Sequence, residues 1–432
     1  MKALADCADD IVVPLRTSRP DIPEDVYLSI FEHIIRPRRI HCGSYQCAIH
    51  SSREEMIEYR HSLCNLTLVC RFFAVVFMPK LLRSMPITLV TPSSVKTWIQ
   101  DRLNRRTLGD FARGLLRNNN RTCAQILRVK ECTLISNRTE HHDITPKTVD
   151  YLVQVTGKLP HTLECLFIRD AVVTNKFFAT LGALTNLTSL AFSHVTFSPR
   201  LVFPQNVNLR LESFSLFDIT TSSRTIVMAS LSDFICSDTN KNLHALYTDD
   251  EIFFEAFMTH SCAPYLEELE LDLFESQFTF NLLFHLGQMR SLKTLSITPW
   301  FFHSRTTATV TWDMSSPVSL PELQHLHCPA FMASSLVPGR PLKVIDLYYF
   351  QDRYVDTPLE HISHIPTKHG LALFHLIQRS TAFVEVLRIP AHVYLASSHL
   401  FTDAFPRLNE LCLRFPEIRY DSIMTSDTVS KL

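Results

Sequence analysis

A short apolar phrase recurs along most of the chain: one residue, a second three positions later and a third two beyond that. It reads Leu163/Leu166/Ile168, Leu187/Leu190/Phe192 and Leu211/Phe214/Leu216, then Leu266/Leu269/Leu271, Leu292/Leu295/Ile297 and Leu323/Leu326/Cys328. Leu342/Ile345/Leu347, Val384/Leu387/Ile389 and Leu408/Leu411/Leu413 continue it, Leu243/Leu246 is a shortened copy, and Ala124/Leu127/Val129 is a candidate first copy. The last two members of each phrase alternate with other residues, which is the period of a strand. Helical stretches separate the copies, at Thr148–Val155, Lys176–Leu184, Thr225–Ile235, Ile252–Met258, Asn281–Met289 and Leu371–Arg379. The usual spacing is about 23–26 residues, with several longer gaps. A strand and a helix at that period predict an α/β coil of stacked units, each burying its apolar side against its neighbours.

The N-terminal part follows another pattern. Residues 1–19 read as a flexible leader. Asp21 and Glu24 form a capping box, with Pro23 in the first turn where its missing N–H costs nothing. The helix that follows is apolar at Val26, Tyr27, Leu28, Ile30, Phe31, Ile34 and Ile35. A helix that buries one face needs an apolar stripe of about 100°, and this stripe is wider. Residues 36–62 are polar and read as an inserted loop. A second apolar run, Leu63 to Phe77, stops at Pro79. So much apolar surface on so few helices implies that part of it meets another protein.

Residues 21–89 carry a resemblance. Ile22-Pro23-x-Asp25 leading to Ile30-Phe31, then Leu66-x-Leu68-Val69-Cys70-Arg71-x-Phe73, resembles the F-box. Met78-Pro79-x-Leu81-Leu82-Arg83, followed by Ile87-Thr88-Leu89, is similar to the exit of many fungal F-box proteins. Ile22 stands where that family usually has Leu, and the spacer between the halves is longer than usual. The apolar phrase, for its part, resembles irregular leucine-rich repeats. The Asn that such repeats place after each strand is missing, with Ala171, Val195 and Ile219 in its place.

The resemblance implies a small helical F-box domain followed by an irregular leucine-rich-repeat solenoid, with parallel strands on the concave face and helices outside. The divisions are a leader at 1–19, the F-box at 20–89 with its loop at 36–62, a helical connector at 90–122 and the solenoid at 123–432. The function implied is that of a substrate-recognition adaptor of a Skp1-cullin-F-box ubiquitin ligase. Ile22, Pro23, Leu28, Ile30, Phe31, Leu66, Val69, Cys70 and Phe73 would dock on a Skp1-type linker and through it on a cullin, while the solenoid holds a protein substrate. The chain itself would carry no catalysis. The alternative is a leucine-rich-repeat scaffold or sensor without ligase function.

Strand alternation also selects the residues of the concave face. Its middle strands put acidic residues beside aromatic ones, and Phe217, Tyr247, Asp249, Glu268, Glu270 and Asp272 are the candidate substrate contacts. Such a row favours a basic segment of a partner, mainly by steering and register.

Composition narrows the chemistry. Hydrophobic residues make up 46% of the 432 and charged residues 20%, which is the balance of an ordered globular protein. A net charge of −1 gives no reason to expect nucleic acid or a membrane as partner. With only 8 glycines, and neither GxGxxG nor GxxxxGK[ST], a nucleotide loop is excluded and no cofactor is expected. Twelve scattered cysteines, with no signal-peptide pattern ahead of them, read as reduced thiols. His41, Cys42, Cys47 and His50 cluster in the loop, with His61 and Cys64 nearby, but match no common zinc spacing. His325-Leu326-His327-Cys328 reads as two histidines on one strand face with the cysteine in the core. No nucleophile elbow or paired acid and base is visible. Ser430-Lys431-Leu432 spells a peroxisomal address, whereas the adaptor reading places the chain in cytoplasm or nucleus.

Overall fold

The computed structural model describes residue 65 and residues 84–89, 130–136, 162–198, 201–204, 209–236, 242–273, 279–299, 319–348 and 367–414. The chain divides into two compact units, Met1–Leu81 and Leu82–Leu432. In the first, only Asn65 is described, and it is helical. Ile22, Pro23, Leu28, Ile30, Phe31, Leu66, Val69, Cys70 and Phe73 therefore lie outside the described residues, as do the loop 36–62, the connector 90–122 and the helix expected at 148–155.

The second unit is α/β. Its strands begin with β1 (Ser84–Leu89), β2 (Glu131–Ser136), β3 (Cys165–Arg169), β4 (Val172–Val173), β5 (Ser189–Ser193), β6 (Thr196–Phe197) and β7 (Ser213–Phe217). They continue with β8 (Ala245–Thr248), β9 (Glu268–Leu273), β10 (Thr294–Pro299), β11 (His325–Pro329), β12 (Val344–Tyr348), β13 (Val386–Pro390) and β14 (Glu410–Arg414). All but β4 and β6 form one 12-stranded sheet in chain order, and β4 and β6 pair with each other. Every pairing in the large sheet is parallel, so each strand lies beside the next copy of itself.

Among the described residues the α-helices are α1 (Asn175–Leu181), α2 (Arg224–Ile235), α3 (Glu251–Phe257), α4 (Thr279–Leu286), α5 (Ala333–Leu336), α6 (Thr367–Ile377), α7 (Ala391–Ser397) and α8 (Phe401–Ala404). The apolar pattern runs past the end of α1 and α4, because Leu184 and Met289 are buried by the turn leading into the next strand rather than by the helix. At α3 the cap is explicit: the Phe253 N–H donates to Asp250 Oδ1 at 2.9 Å.

Register explains the recurring phrase. Its middle member forms one continuous row across the sheet: Met85, Cys132, Leu166, Leu190, Phe214, Leu246, Leu269, Leu295, Leu326, Ile345, Leu387 and Leu411. The row extends the repeat to two earlier strands. Cys132 and Leu134 pair in register with Leu166 and Ile168, and Met85 and Ile87 stand one strand earlier, while Ala124, Leu127 and Val129 lie outside the described residues. Residues 84–89, grouped by sequence with 20–89, are thus the edge strand of the sheet. A cysteine and a methionine at the phrase positions, and Pro86 next to the methionine, hid the pattern. Proline is tolerated there because an edge strand has one unpaired side.

The turns replace side-chain chemistry with backbone. The Lys130 carbonyl accepts the N–H groups of both Glu164 and Cys165, and the same doubled bond recurs from Glu164, Thr188, Glu212, His244, Glu267, Lys293, Gln324, Lys343 and Glu385. At the other end of the early strands, Asp170, His194 and Asp218 take positive φ of 54°, 53° and 48°. Asp and His tolerate this region better than branched residues do. The bend drives Ala171, Val195 and Ile219 into the core. These residues stand where an Asn ladder was expected, and the corner is held by Asp170 N–H to Ser193 O (3.1 Å) and His194 N–H to Phe217 O (2.9 Å).

Phenylalanine fills the interior. Phe177, Phe178, Phe192, Phe197, Phe203, Phe214 and Phe234 form one set of ring contacts, with centroids 4.6 to 6.2 Å apart. Edge-on rings pack irregular space between a strand and a short helix.

Position in the stack decides what each phrase is worth. Leu295 in β10 is fully buried, while Leu411 in β14 is 37% exposed. Leu295→Ala should cost about 2–5 kcal/mol, and Leu411→Ala about 1 kcal/mol or less. Urea unfolding midpoints of the two variants check this, and equal costs would contradict it.

Candidate interaction surface

The residues between phrase positions line the sheet face turned away from the core. One row runs Cys165, Ser189, Ser213, Ala245, Glu268, Thr294, His325, Val344, Val386 and Glu410. The next runs Phe167, Ala191, Ser215, Tyr247, Glu270, Ser296, His327, Asp346, Arg388 and Cys412.

Near the middle the face is acidic. Tyr247 and Glu270 are register partners, and the Tyr247 hydroxyl donates to Glu268 Oε2 at 2.7 Å. Asp249, just past β8, accepts the Asp218 N–H at 2.7 Å, and His194 Nδ1 contacts the Asp218 carboxylate. Asp250 is buried, caps α3 and pairs with Arg224 at 3.0 Å. Burial, with Asp250, Asp272 and Asp218 nearby, pushes the Asp249 carboxyl up to about 7, against the opposing effect of its bond from Asp218.

Toward β14 the same face is mixed in charge. His327 Nδ1 lies 3.2 Å from Asp346, Arg414 Nη2 lies 2.8 Å from it and Arg388 Nη1 3.8 Å. Arg388 also binds Glu410 at 2.8 Å, and the His327 and Tyr348 rings stack at 4.9 Å. Burial alone would raise the Asp346 carboxyl, but His327 and Arg414 hold it below its ordinary value.

Of the six candidate contacts, the structure brings Tyr247, Glu268 and Glu270 together and sets Asp249 within electrostatic reach of Asp272. Phe217 follows Leu216, the register partner of Thr248, so it stands beside Asp249. Exposure differs from the open surface expected. Phe217, Tyr247, Glu270 and Asp272 are each at most 4% exposed, while Asp249 and Glu268 are half-buried. Strands about 4.8 Å apart flank each row residue closely on both sides, and alternation cannot report how much surface remains.

Asp218 and His194 were not visible as site residues, because they sit one step past the strands where alternation ends. Their trace in the sequence is a polar residue ahead of a buried apolar one: Asp170-Ala171, His194-Val195, Asp218-Ile219. Among the described residues, no set of three or more His, Cys, Asp or Glu is placed to hold a metal, and no helix is long and apolar enough to cross a membrane. His41, Cys42, Cys47, His50, His61, Cys64 and Ser430-Lys431-Leu432 lie outside those residues. No family model matches the chain, and no curated protein matches it.

The raised carboxyl makes stability depend on pH. Folding takes up a proton at Asp249 between its ordinary 3.8 and about 7, so this group's contribution is greatest below pH 4 and is lost as pH rises through 7. Asp249→Asn, whose amide oxygen can still accept the Asp218 N–H, should remove that slope. The variant should gain on the order of 2 kcal/mol over the parent at pH 8 and nothing at pH 4. Thermal melts across that range would expose a parallel pair of curves if the carboxyl were not responsible.

Proposed function

We propose that the chain is a substrate-recognition adaptor of a Skp1-cullin-F-box ubiquitin ligase. In this reading Ile22, Pro23, Leu28, Ile30, Phe31, Leu66, Val69, Cys70 and Phe73 dock on a Skp1-type linker. The sheet is an irregular leucine-rich-repeat solenoid that holds a protein substrate, and other subunits transfer the ubiquitin, in cytoplasm or nucleus. One observation supports it above the rest. Along the chain, the F-box-like residues from Ile22 to Phe73 precede a 12-stranded parallel sheet whose first strand is Ser84–Leu89, the order of a docking motif followed by a receptor face.

The acidic centre of that face suits a basic segment of the substrate. Asp249 and Glu268 are the partly accessible carboxylates of the candidate set, and Asp218 beside them is 54% exposed at its side chain. Glu270 and Asp272 follow Glu268 along the same strand but are buried and offer no surface.

Docking is tested by co-purifying the full chain with a Skp1-type protein. The parent should bind, and Ile30→Asp should weaken binding by about 30-fold or more, the loss typical of a central apolar contact. A parent chain that ignores Skp1-type proteins would sink the adaptor reading. For the face, Glu268→Lys is the informative change, because Glu270 is buried on that face and Glu270→Lys would bury a cation there. Partners recovered with the parent and identified by mass spectrometry should bind Glu268→Lys roughly tenfold more weakly at low salt, with a smaller difference at high salt. Unchanged binding would remove Glu268 from the contact.

A further inference from the structure

Among the described residues, Cys236 and Cys262 stand apart from the other thiols. Cys236 closes α2, its N–H donating to Ser232 O at 2.8 Å, and Cys262 opens the 3-10 turn Ala263–Tyr265. Two separate contacts hold these segments together. His260 Nε2 lies 3.4 Å from Asp233 Oδ1, and the Cys236 and Cys262 thiols lie within hydrogen-bonding reach of each other. Both cysteines are free and half-buried, packed against the edge of the core.

Their environments divide the labour of a redox reaction. Cys132 and Cys328 are fully buried, and burial alone pushes the Cys132 thiol up to about 12, so it stays protonated. Cys262 behaves oppositely: the hydrogen bond from Cys236 lowers its thiol below the usual value, despite burial. The same bond, with burial, raises Cys236. A more acidic, half-exposed thiol beside a protonated one is the arrangement of an attacking and a resolving cysteine.

We propose that Cys236 and Cys262 are a reversible redox pair whose oxidant is a hydroperoxide. The Cys262 thiolate attacks the terminal peroxide oxygen; the S–O bond forms, the O–O bond breaks, and the alkoxide or hydroxide leaves with a proton. Cys236 sulfur then attacks the sulfenic sulfur; the S–S bond forms, the S–O bond breaks, and water leaves with the Cys236 proton. Two thiols and one hydroperoxide thus give one disulfide, one alcohol (or water) and one water. A small dithiol reverses the step by exchange. The disulfide closes a loop containing β8 and α3, the repeat that presents Tyr247 and Asp249, so oxidation clamps the acidic part of the face.

The test uses the full chain and hydrogen peroxide. After mild oxidation and alkylation of remaining thiols, non-reducing digestion with trypsin should link the peptides spanning 225–241 and 242–290, with the loss of two hydrogens. Dithiothreitol should release them, and the oxidised chain should melt at a higher temperature than the reduced one. Cys236→Ser should strand Cys262 as a sulfenic acid that a dimedone probe labels, whereas Cys262→Ser should lower labelling at Cys236 on the order of tenfold or more. The peptide link is read on the unaltered chain, so misfolding of a variant cannot hide the answer. Absence of the 236–262 link, or its appearance at no greater yield than links to other cysteines, overturns the proposal.

Discussion

No strand of this sheet can bury its apolar phrase by itself. Each is covered only because the neighbouring copy stands in register beside it, and the doubled acceptor at the carbonyl ahead of the strands from β2 to β13 of the large sheet enforces that register. The gradient along the stack shows the dependence: Leu295, flanked on both sides, is fully buried, and Leu411 at the end is 37% exposed. The interior is therefore one continuous cluster from Cys132 to Phe405 rather than a series of separate cores.

A shared scaffold leaves the residues on the opposite face to be differentiated by their neighbours alone. Asp249 and Asp346 illustrate this. Both are largely withdrawn from water, which by itself raises a carboxyl. Asp249 sits among Asp218, Asp250 and Asp272 and is raised; Asp346 sits among His327, Arg388 and Arg414 and is lowered. One sheet thus presents a centre rich in carboxylates and an end where carboxylates and cations alternate. For the proposed adaptor, the centre is where a cationic segment gains most, since the end already satisfies its own charges. The proposed cysteine pair spans the repeat that builds this centre, so a change in redox state would act on the surface through its backbone and not through its charges.

What the amino-acid pattern determined by itself was the strand phase and the existence of most helices. Leu166, Leu190, Leu269 and Leu387 lie where alternation put them, and Cys328 faces the core beside outward-facing His325 and His327. These follow from local periodicity, a property of single elements. The tertiary structure decided what periodicity cannot express. Pairing revealed Ser84–Leu89 and Glu131–Ser136 as the first described strands, because register with β3 identifies a phrase position even when Met85 or Cys132 stands in it. Packing withdrew Phe217, Tyr247, Glu270 and Asp272 from solvent and left Asp249 and Glu268 partly accessible. Proximity joined Asp218 to Asp249, 31 residues apart, and Cys236 to Cys262. Which side a residue faces is written in its nearest neighbours along the chain; which residues share that side with it depends on chain segments that only the stacking of repeats brings together.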